Sequence, residues 1–251
     1  MEKPDYGNWA PQKISIFLLF ASIVSYLMTF LLDIWLVLVV LKSASSLFLV
    51  FFIYLQYVYW ILEKDDKDMQ RRFWSLLISQ LKWDGMGKAL DIGTGNGPIA
   101  ILLAREYPEC SVTGIDFWGE PWTYSKEKCD RNAEIEGVSD RVSFERASAV
   151  NLPFGDGEFD AVLSNFVFHA IKFHDRMELI AEALRVLRDG GAFAFQDLFN
   201  DDYYSDDFLD VVRSWGMKEV NFVESSEFIH VPLALRPKHM TGGSGILSGV
   251  K

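Results

Sequence analysis

The sequence predicts two parts: a transmembrane helical hairpin at the N-terminus and an α/β domain with a mostly parallel sheet. A run of 49 residues, 14–62, contains only two formally charged side chains. After this run, short apolar segments typical of strands alternate with segments of helical periodicity, and a glycine cluster follows the first of these strands. Alternating strands and helices build a mostly parallel sheet that helices cover on both faces.

The apolar run is too long for one transmembrane helix, which needs roughly 20 residues, and suits two. The polar cluster Lys42–Ser46 divides the run, so we predict helices over about residues 14–40 and 47–62, within an N-terminal part that spans residues 1–63. A cleaved signal peptide does not fit, because a second apolar stretch follows the first directly. A buried helical hairpin of a soluble protein is the remaining alternative.

Positive charges predict the orientation in the membrane. The expected turn carries only Lys42, with Asp33 close to it, whereas six lysines and arginines flank the helices. These are Lys3, Lys13, Lys64, Lys67, Arg71 and Arg72. Because lysine and arginine stay on the cytoplasmic side, we expect a cell-membrane protein with two spans, and with both termini and the α/β domain in the cytoplasm.

The acidity of the α/β domain argues against nucleic acid as a partner. The chain has a net charge of -11, and the residues before Lys64 contribute a net charge of only -1, from four acidic and three basic side chains. Nucleic-acid affinity depends on cations that contact phosphates, which an acidic surface repels. Cys110 and Cys129 lack zinc-ligand spacing and the density of a disulfide framework, and the four histidines predict no metal site.

We predict the α/β domain over residues 64–240, followed by a flexible glycine-rich tail at 241–251. The expected strands are 88–92, 111–115, 142–146, 161–164, 192–196, 218–223 and 228–235. The expected helices are 68–81, one that begins at Pro98, 125–136, 176–188 and 208–215. The last two strands are joined by a short connection, so one strand of this pair runs antiparallel to the rest of the sheet.

The loop Gly93–Gly97 follows the first predicted strand of the domain, at the sheet edge where ligands bind. Asp91 lies just before this loop, and Asp116 ends the second strand, where a carboxylate suits a ribose diol. A dinucleotide fingerprint requires glycine at position 98, which is Pro98 here. S-adenosylmethionine carries an ammonium group and no phosphate, and Asp91 suits that cation. A plain tight turn is the alternative reading of the glycines.

From about residue 82 to residue 191 the chain resembles the class I S-adenosylmethionine-dependent methyltransferases. The likeness is strongest to the group whose third strand leads into an LPF…FD stretch, which is Asn151–Asp160 here. The resemblance implies a Rossmann-like, seven-stranded sheet with one antiparallel strand and S-adenosylmethionine as the cofactor. It says almost nothing about the substrate.

The resemblance also implies a set of cofactor-binding residues on the loop and on three strand ends. They are Asp91, Gly93, Gly95, Gly97, Asp116, Phe117, Ser148, Ala149 and Asn165. The first four would hold the methionine part, Asp116 the ribose and Phe117 the adenine. Family members often have an acid–alanine pair where this chain has Ser148–Ala149, and a neutral serine binds the adenine amino group less strongly. Asn165 would lie beneath the transferring methyl group.

Methyl transfer needs a base only when the acceptor must lose a proton, and His169 is the candidate catalytic residue for that step. A polar residue in a connecting loop is the alternative reading of His169. The aromatic stretch Phe117–Tyr124 is either a lid or acceptor wall, or ordinary packing.

A membrane anchor beside such a domain favours a lipophilic small-molecule acceptor, such as a lipid. Two other classes of function remain: a non-catalytic cofactor-binding membrane subunit, and a nucleotide-dependent oxidoreductase, which Pro98 disfavours.

We expect deletion of residues 1–62 to leave the cofactor site intact.

Overall fold

The computed structural model describes residues 2–119, 123–199, 206–237 and 241–251, without the side chains of residues 64–68 and 206. Within these ranges, six α-helices and seven β-strands follow one another. The helices are α1 (Gln12–Met28), α2 (Trp35–Ser79), α3 (Pro98–Glu106), α4 (Lys126–Glu136), α5 (Arg176–Arg185) and α6 (Asp206–Ser214). The strands are β1 (Gly87–Ile92), β2 (Cys110–Asp116), β3 (Val142–Arg146), β4 (Phe159–Asn165), β5 (Leu187–Leu198), β6 (Glu219–Glu224) and β7 (Ser244–Val250).

The seven strands form one mixed sheet in the order β3-β2-β1-β4-β5-β7-β6. Strands β1 to β5 pair in parallel, and β7 runs antiparallel to both of its neighbours, β5 and β6. The expected seven-stranded, mostly parallel sheet with one antiparallel strand is confirmed. Strand order reverses between β1 and β4, which is the position where open α/β sheets bind ligands.

The antiparallel strand lies elsewhere than we expected. A strand over 228–235 and a flexible tail at 241–251 are both wrong: residues 225–235 contain two 3-10 turns, and β7 lies in the tail. A Cβ atom at Gly249 would lie 1.9 Å from the carbonyl oxygen of Glu219 on β6. Glycine at this position therefore permits close strand packing, and the glycine content of the segment does not indicate flexibility.

The break between the two N-terminal helices lies at residues 29–34, so the predicted bounds 14–40 and 47–62 are wrong. The polar cluster Lys42–Ser46 lies inside α2, which also includes most of the predicted helix at 68–81. Ser46 Oγ donates to the carbonyl oxygen of Lys42 at 2.9 Å, one helical turn back. A serine cluster can therefore satisfy its hydroxyl groups without ending a helix.

The chain divides into two compact units. One is Asn8–Gln70, which contains α1 and most of α2. The other combines Met1–Gly7 with Arg71–Lys251 and contains the whole sheet. The first residues of the chain therefore belong to the unit that contains the sheet.

A large apolar cluster fills the space between the sheet and the helices α5 and α6. It includes Leu90, Val162 and Phe193 on neighbouring strands, Leu184 of α5 and Val212 of α6, all of them buried. Burial of each large apolar side chain contributes about 1.5–3 kcal/mol relative to exposure. This packing fixes the carboxyl ends of β1, β4 and β5, where the candidate site lies.

Candidate functional site

The glycine loop at the end of β1 depends on its glycines for its shape. Gly93, Gly95 and Gly97 all have left-handed backbone conformations, with φ of 72°, 59° and 84°. A Cβ atom at Gly93 would lie 2.2 Å from Val167 Cγ2, and one at Gly97 would lie 2.8 Å from Phe144 Cζ. Residues with side chains are therefore excluded at both positions by backbone conformation and by space.

Hydrogen bonds tie this loop to the end of β2. The backbone N–H groups of Gly93 and Thr94 both donate to the carbonyl oxygen of Ile115, at 2.8 and 2.9 Å. The N–H of Gly95 donates to Asp116 Oδ2 at 2.8 Å. The two strand ends that were expected to share a ligand are thus linked directly.

Asp91 is buried beneath the loop, and only one of its two carboxylate oxygens accepts hydrogen bonds from described residues. Its Oδ2 accepts from Thr94 Oγ1 at 2.6 Å and from the N–H of Ala100 at 3.2 Å. Its Oδ1 is buried and has no hydrogen-bond partner among the residues that the structure describes. Burial raises the pKa of Asp91 to about 7. Because burial disfavours the ionised carboxylate, a cation beside Oδ1 would stabilise it.

Asp116 holds the backbone that follows β2 as well as the loop. Its Oδ1 accepts from the N–H of Trp118 at 2.7 Å, and burial raises the pKa of this carboxyl. Trp118 Nε1 in turn donates to the carbonyl oxygen of Gly95 at 2.8 Å, and Trp118 has an unusual φ of 47°. Our sequence reasoning did not single out Trp118, although the aromatic stretch that contains it was a signal.

The residues expected to contact adenine lie at the ends of β2 and β3. The ring of Phe117 is 62% exposed, and Arg146 Cζ lies 4.9 Å from the ring centroid, within cation–π range. Ser148 is exposed, and its Oγ accepts from the N–H of Val150 at 3.2 Å. Ala149 packs partly buried against the apolar cluster. Residues 120–122 of the aromatic stretch lie outside the described residues, so the expected lid or acceptor wall is described only in part.

Asn165 ends β4, the strand beside β1. Its Oδ1 is buried and has no hydrogen-bond partner among the described side chains and backbone groups. The preceding residue, Ser164, is buried and donates from Oγ to the carbonyl oxygen of Ile92 at 3.2 Å. A second buried acceptor therefore lies at the sheet edge that carries the glycine loop.

His169 forms a pair with a carboxylate that our sequence reasoning missed. Its Nδ1 lies 2.6 Å from Asp197 Oδ1, and its backbone N–H donates to Asp197 Oδ2 at 3.2 Å. Asp197 lies near the end of β5 and is 1% exposed, while the His169 side chain is 30% exposed. A carboxylate only accepts, so Nδ1 donates to it, and in the neutral imidazole Nε2 then presents the lone pair that a general base requires.

The carboxyl edge of the sheet thus contains two candidate functional clusters. The glycine loop, Asp91 and Asp116 are joined by hydrogen bonds, and His169 is held by Asp197 at the ends of β4 and β5. Among the described residues, no group of three or more histidine, cysteine or acidic side chains is arranged to hold a metal ion.

Residues 90–195 match a protein-family model described as a methyltransferase domain. The chain is 32% identical over 124 residues to a ubiquinone/menaquinone biosynthesis C-methyltransferase UbiE from Geobacter sp. (strain M21), covering 49% of this chain and 50% of that protein. It is 35% identical over 136 residues to a malonyl-[acyl-carrier protein] O-methyltransferase from Geobacter sulfurreducens (strain ATCC 51573 / DSM 12127 / PCA), covering 53% of this chain and 47% of the other. The chain thus spans about half the length of these curated relatives.

Among solved structures, the crystal structure of the [4+2]-cyclase SpnF superposes with a TM-score of 0.58 at 20% identity. The superposition covers 75% of this chain and 84% of that one. This likeness shows the fold alone. The sequence match places a methyltransferase domain at residues 90–195, within the segment that forms strands β1 to β5.

Proposed function

We propose that this chain is a membrane-anchored methyltransferase that transfers a methyl group from S-adenosylmethionine to a small-molecule acceptor. The observation that carries the proposal is the hydrogen-bonded link between the glycine loop and Asp116, above the buried Asp91, within the matched domain. This arrangement offers carboxylates for an ammonium group and a ribose, and a loop backbone that a ligand can approach closely.

Residues already in place at the sheet edge would hold the cofactor. The free lone pairs of Asp91 Oδ1 would receive the ammonium group. Asp116 Oδ2 accepts from the N–H of Gly95 and Oδ1 from the N–H of Trp118, and a carboxylate has about four lone-pair sites, so it retains the capacity to accept from a ribose hydroxyl. Phe117 would pack on the adenine ring, with Ser148 and Ala149 beside it, and Asn165 would lie near the reacting methyl group.

The proposed chemistry is an in-line displacement in which the acceptor atom attacks the methyl carbon of the cofactor sulfonium. The protein's main contribution is to hold the two reactants close and aligned. Where the acceptor is a hydroxyl or another protonated group, Nε2 of His169 would take its proton. Asp197, through Nδ1, would stabilise the imidazolium that results.

Binding of S-adenosylmethionine should release a proton from Asp91 below neutral pH. The pKa of this carboxyl is raised to about 7 by burial, and an adjacent ammonium group favours its ionised form. Affinity should therefore rise about fivefold from pH 6 to pH 7, where the ligand's ammonium group stays largely charged, with about 0.9 proton released at pH 6 and about 0.5 at pH 7. Calorimetry in two buffers of different ionisation enthalpy measures both quantities.

Asp91→Asn is the control for this experiment, because the amide keeps the shape of the side chain and cannot ionise. The variant should bind more weakly at pH 7 and show no proton release at pH 6. If the unaltered protein binds S-adenosylmethionine tightly at pH 6 without releasing a proton, Asp91 does not contact the ammonium group.

The unit Asn8–Gln70 has polar contacts inside and apolar side chains outside, which supports a membrane location. Ser22 Oγ and Ser45 Oγ each donate to the other residue's carbonyl oxygen at 2.9 Å, and both serines are buried. Val50 and Ile53, in contrast, are more than half exposed. Soluble proteins bury such side chains, whereas helix pairs in lipid use small polar residues at their interface.

The proposed anchor is the segment Trp35–Glu63 of α2. Among the described residues it alone is long and apolar enough to cross a membrane, because α1 has 17 residues and a span needs roughly 20. In this proposal α1 packs beside it in the lipid. The turn at residues 29–34 contains no lysine or arginine, whereas Lys64, Lys67, Arg71 and Arg72 follow the anchor, which supports the cytoplasmic side for the C-terminal end of the anchor.

The full chain should remain in the membrane pellet after alkaline carbonate extraction. Val50→Lys combined with Ile53→Lys should shift it toward the soluble fraction, because each charge costs about 2.5–3.5 kcal/mol at the centre of a spanning helix. Leu233→Lys, at a residue of the sheet unit that is 79% exposed, is the matched control and should stay in the pellet. Extraction of the unaltered chain by carbonate would contradict the membrane anchor.

The acceptor we propose is a small molecule dissolved in the bilayer. One of the two relatives reported above is a ubiquinone/menaquinone biosynthesis C-methyltransferase and the other a malonyl-[acyl-carrier protein] O-methyltransferase, so the shared domain does not select the substrate. A membrane anchor raises the effective concentration of any lipid-dissolved acceptor near the catalytic domain. This benefit supports a lipophilic acceptor over a freely soluble one.

A further inference from the structure

The first residues of the chain lie against α4 of the sheet unit. We call Glu2–Gly7 the N-terminal strap. The backbone N–H of Asp5 donates to Asn132 Oδ1 at 2.8 Å, and Asn132 Nδ2 donates back to the carbonyl oxygen of Asp5 at 3.0 Å. Asn132 is buried, so water does not compete freely for these bonds.

The strap also bonds directly to the glycine loop. Asn96, between Gly95 and Gly97, is fully buried, and its Nδ2 donates to the carbonyl oxygen of Asp5 at 3.1 Å. Its Oδ1 accepts from the N–H of Ser125 at 3.1 Å, and its own carbonyl oxygen accepts from Asn132 Nδ2 at 2.9 Å. One side chain therefore connects the strap, the loop and the start of α4.

Aromatic packing makes a second link between strap and loop. A Cβ atom at Gly7, where φ is +75°, would lie 2.6 Å from Tyr124 Cε1. A Cβ atom at Gly95 would lie 3.6 Å from Cδ2 and Cε2 of the same ring, at ordinary van der Waals distance. The Tyr124 ring thus lies next to both the strap and the loop.

The neighbouring residue Tyr6 fixes the strap from its other side. It is buried, and its ring meets Trp74 edge to face with 5.5 Å between centroids. Its hydroxyl donates to Glu136 Oε1 at 3.3 Å. The ion pairs of the strap, Asp5 with Lys128 and Glu2 with Arg131, are exposed and add little stability.

We propose that the N-terminal strap is a positioning element of the cofactor site, which orders the glycine loop through Asn96 and Tyr124 and so raises the affinity for S-adenosylmethionine. The inference rests on the proposed function, since it assigns that cofactor to the loop. A loop that is ordered before binding does not lose conformational freedom at that step. Because the strap belongs to residues 1–62, the proposal predicts that their deletion weakens cofactor binding, in contrast to the expectation from the sequence that the site stays intact.

The test compares Gly7→Ala with Gly216→Ala in the full chain. Both glycines have left-handed backbones, with φ of +75° and +89°, so alanine strains both positions. Only the Cβ at residue 7 meets Tyr124, because a Cβ at Gly216 meets nothing within 4 Å. Calorimetric titration with S-adenosylmethionine should show about tenfold weaker binding for Gly7→Ala and unchanged binding for Gly216→Ala.

Hydrogen exchange in the ligand-free protein separates positioning from general destabilisation. Amides in a peptide that covers residues 93–97 should exchange faster in Gly7→Ala than in Gly216→Ala, while β4 amides exchange alike. Equal affinity of the Gly7→Ala and unaltered proteins would overturn the strap proposal and leave the proposed function standing. Failure of the unaltered protein to bind S-adenosylmethionine would instead overturn the proposed function.

Discussion

Asp197→Asn is expected to lower the turnover number of methyl transfer by about 10²- to 10⁴-fold while leaving the affinity for S-adenosylmethionine unchanged. The carboxylate of Asp197 accepts from Nδ1 of His169 at 2.6 Å, which leaves a lone pair on Nε2. An asparagine amide can instead donate to Nδ1, and Nε2 would then carry the hydrogen and could not act as a base. His169→Ala should show a loss of similar size.

His174→Ala is the matched control for substitutions in the His169–Asp197 pair, because His174 is exposed on the same connection after β4. Release of S-adenosylhomocysteine from the membrane-bound protein measures turnover, and calorimetry measures cofactor affinity. Turnover should fall in His169→Ala and stay unchanged in His174→Ala. If the turnover number of Asp197→Asn is within twofold of that of the unaltered protein, the His169–Asp197 pair has no part in the reaction.

Asp116→Ala is expected to weaken S-adenosylmethionine binding by about ten- to a hundredfold, because hydrogen bonds to a charged group contribute about 1.5–3 kcal/mol. The substitution removes the acceptor for the N–H groups of Gly95 and Trp118 as well as the proposed ribose contact. Loop order and direct binding are therefore lost together.

Asp140→Ala provides the comparison for Asp116→Ala, since the Asp140 side chain is 76% exposed and its ion pair with Arg141 is 4.0 Å long. Calorimetry on both variants should show a loss for position 116 and none for position 140. If the two variants bind equally well, the ribose role of Asp116 is refuted.

The parallel part of the sheet could be predicted from the sequence because its signals are local. Strand β3 has the predicted bounds, and the glycine loop lies directly after β1, where the apolar pattern stops. Ser125 caps α4 by accepting from the N–H of Lys128, and Pro98 begins α3, both as residue type predicts. Each of these features depends on neighbours in sequence.

The missed features depend on contacts between distant residues. Asp197 meets His169 only because β4 and β5 pair side by side, which a single sequence does not reveal. In the sequence, the glycines of β7 suggest a flexible tail, and only the pairing of β7 with β6 shows that they permit close strand packing. Likewise, Asp5 lies next to Asn96 and Asn132 only after folding, so nothing local marked the strap as part of the site.

Transfer of a labelled methyl group from S-adenosylmethionine tests the proposed function most directly. Membranes that contain the full chain would be incubated with methyl-labelled cofactor, and the lipid extract, the soluble small molecules and the protein would be counted separately. We expect label in the lipid extract, an equal amount of S-adenosylhomocysteine, and loss of both with Asp197→Asn. Cofactor binding without label in any fraction would contradict methyl transfer and favour a non-catalytic cofactor-binding subunit.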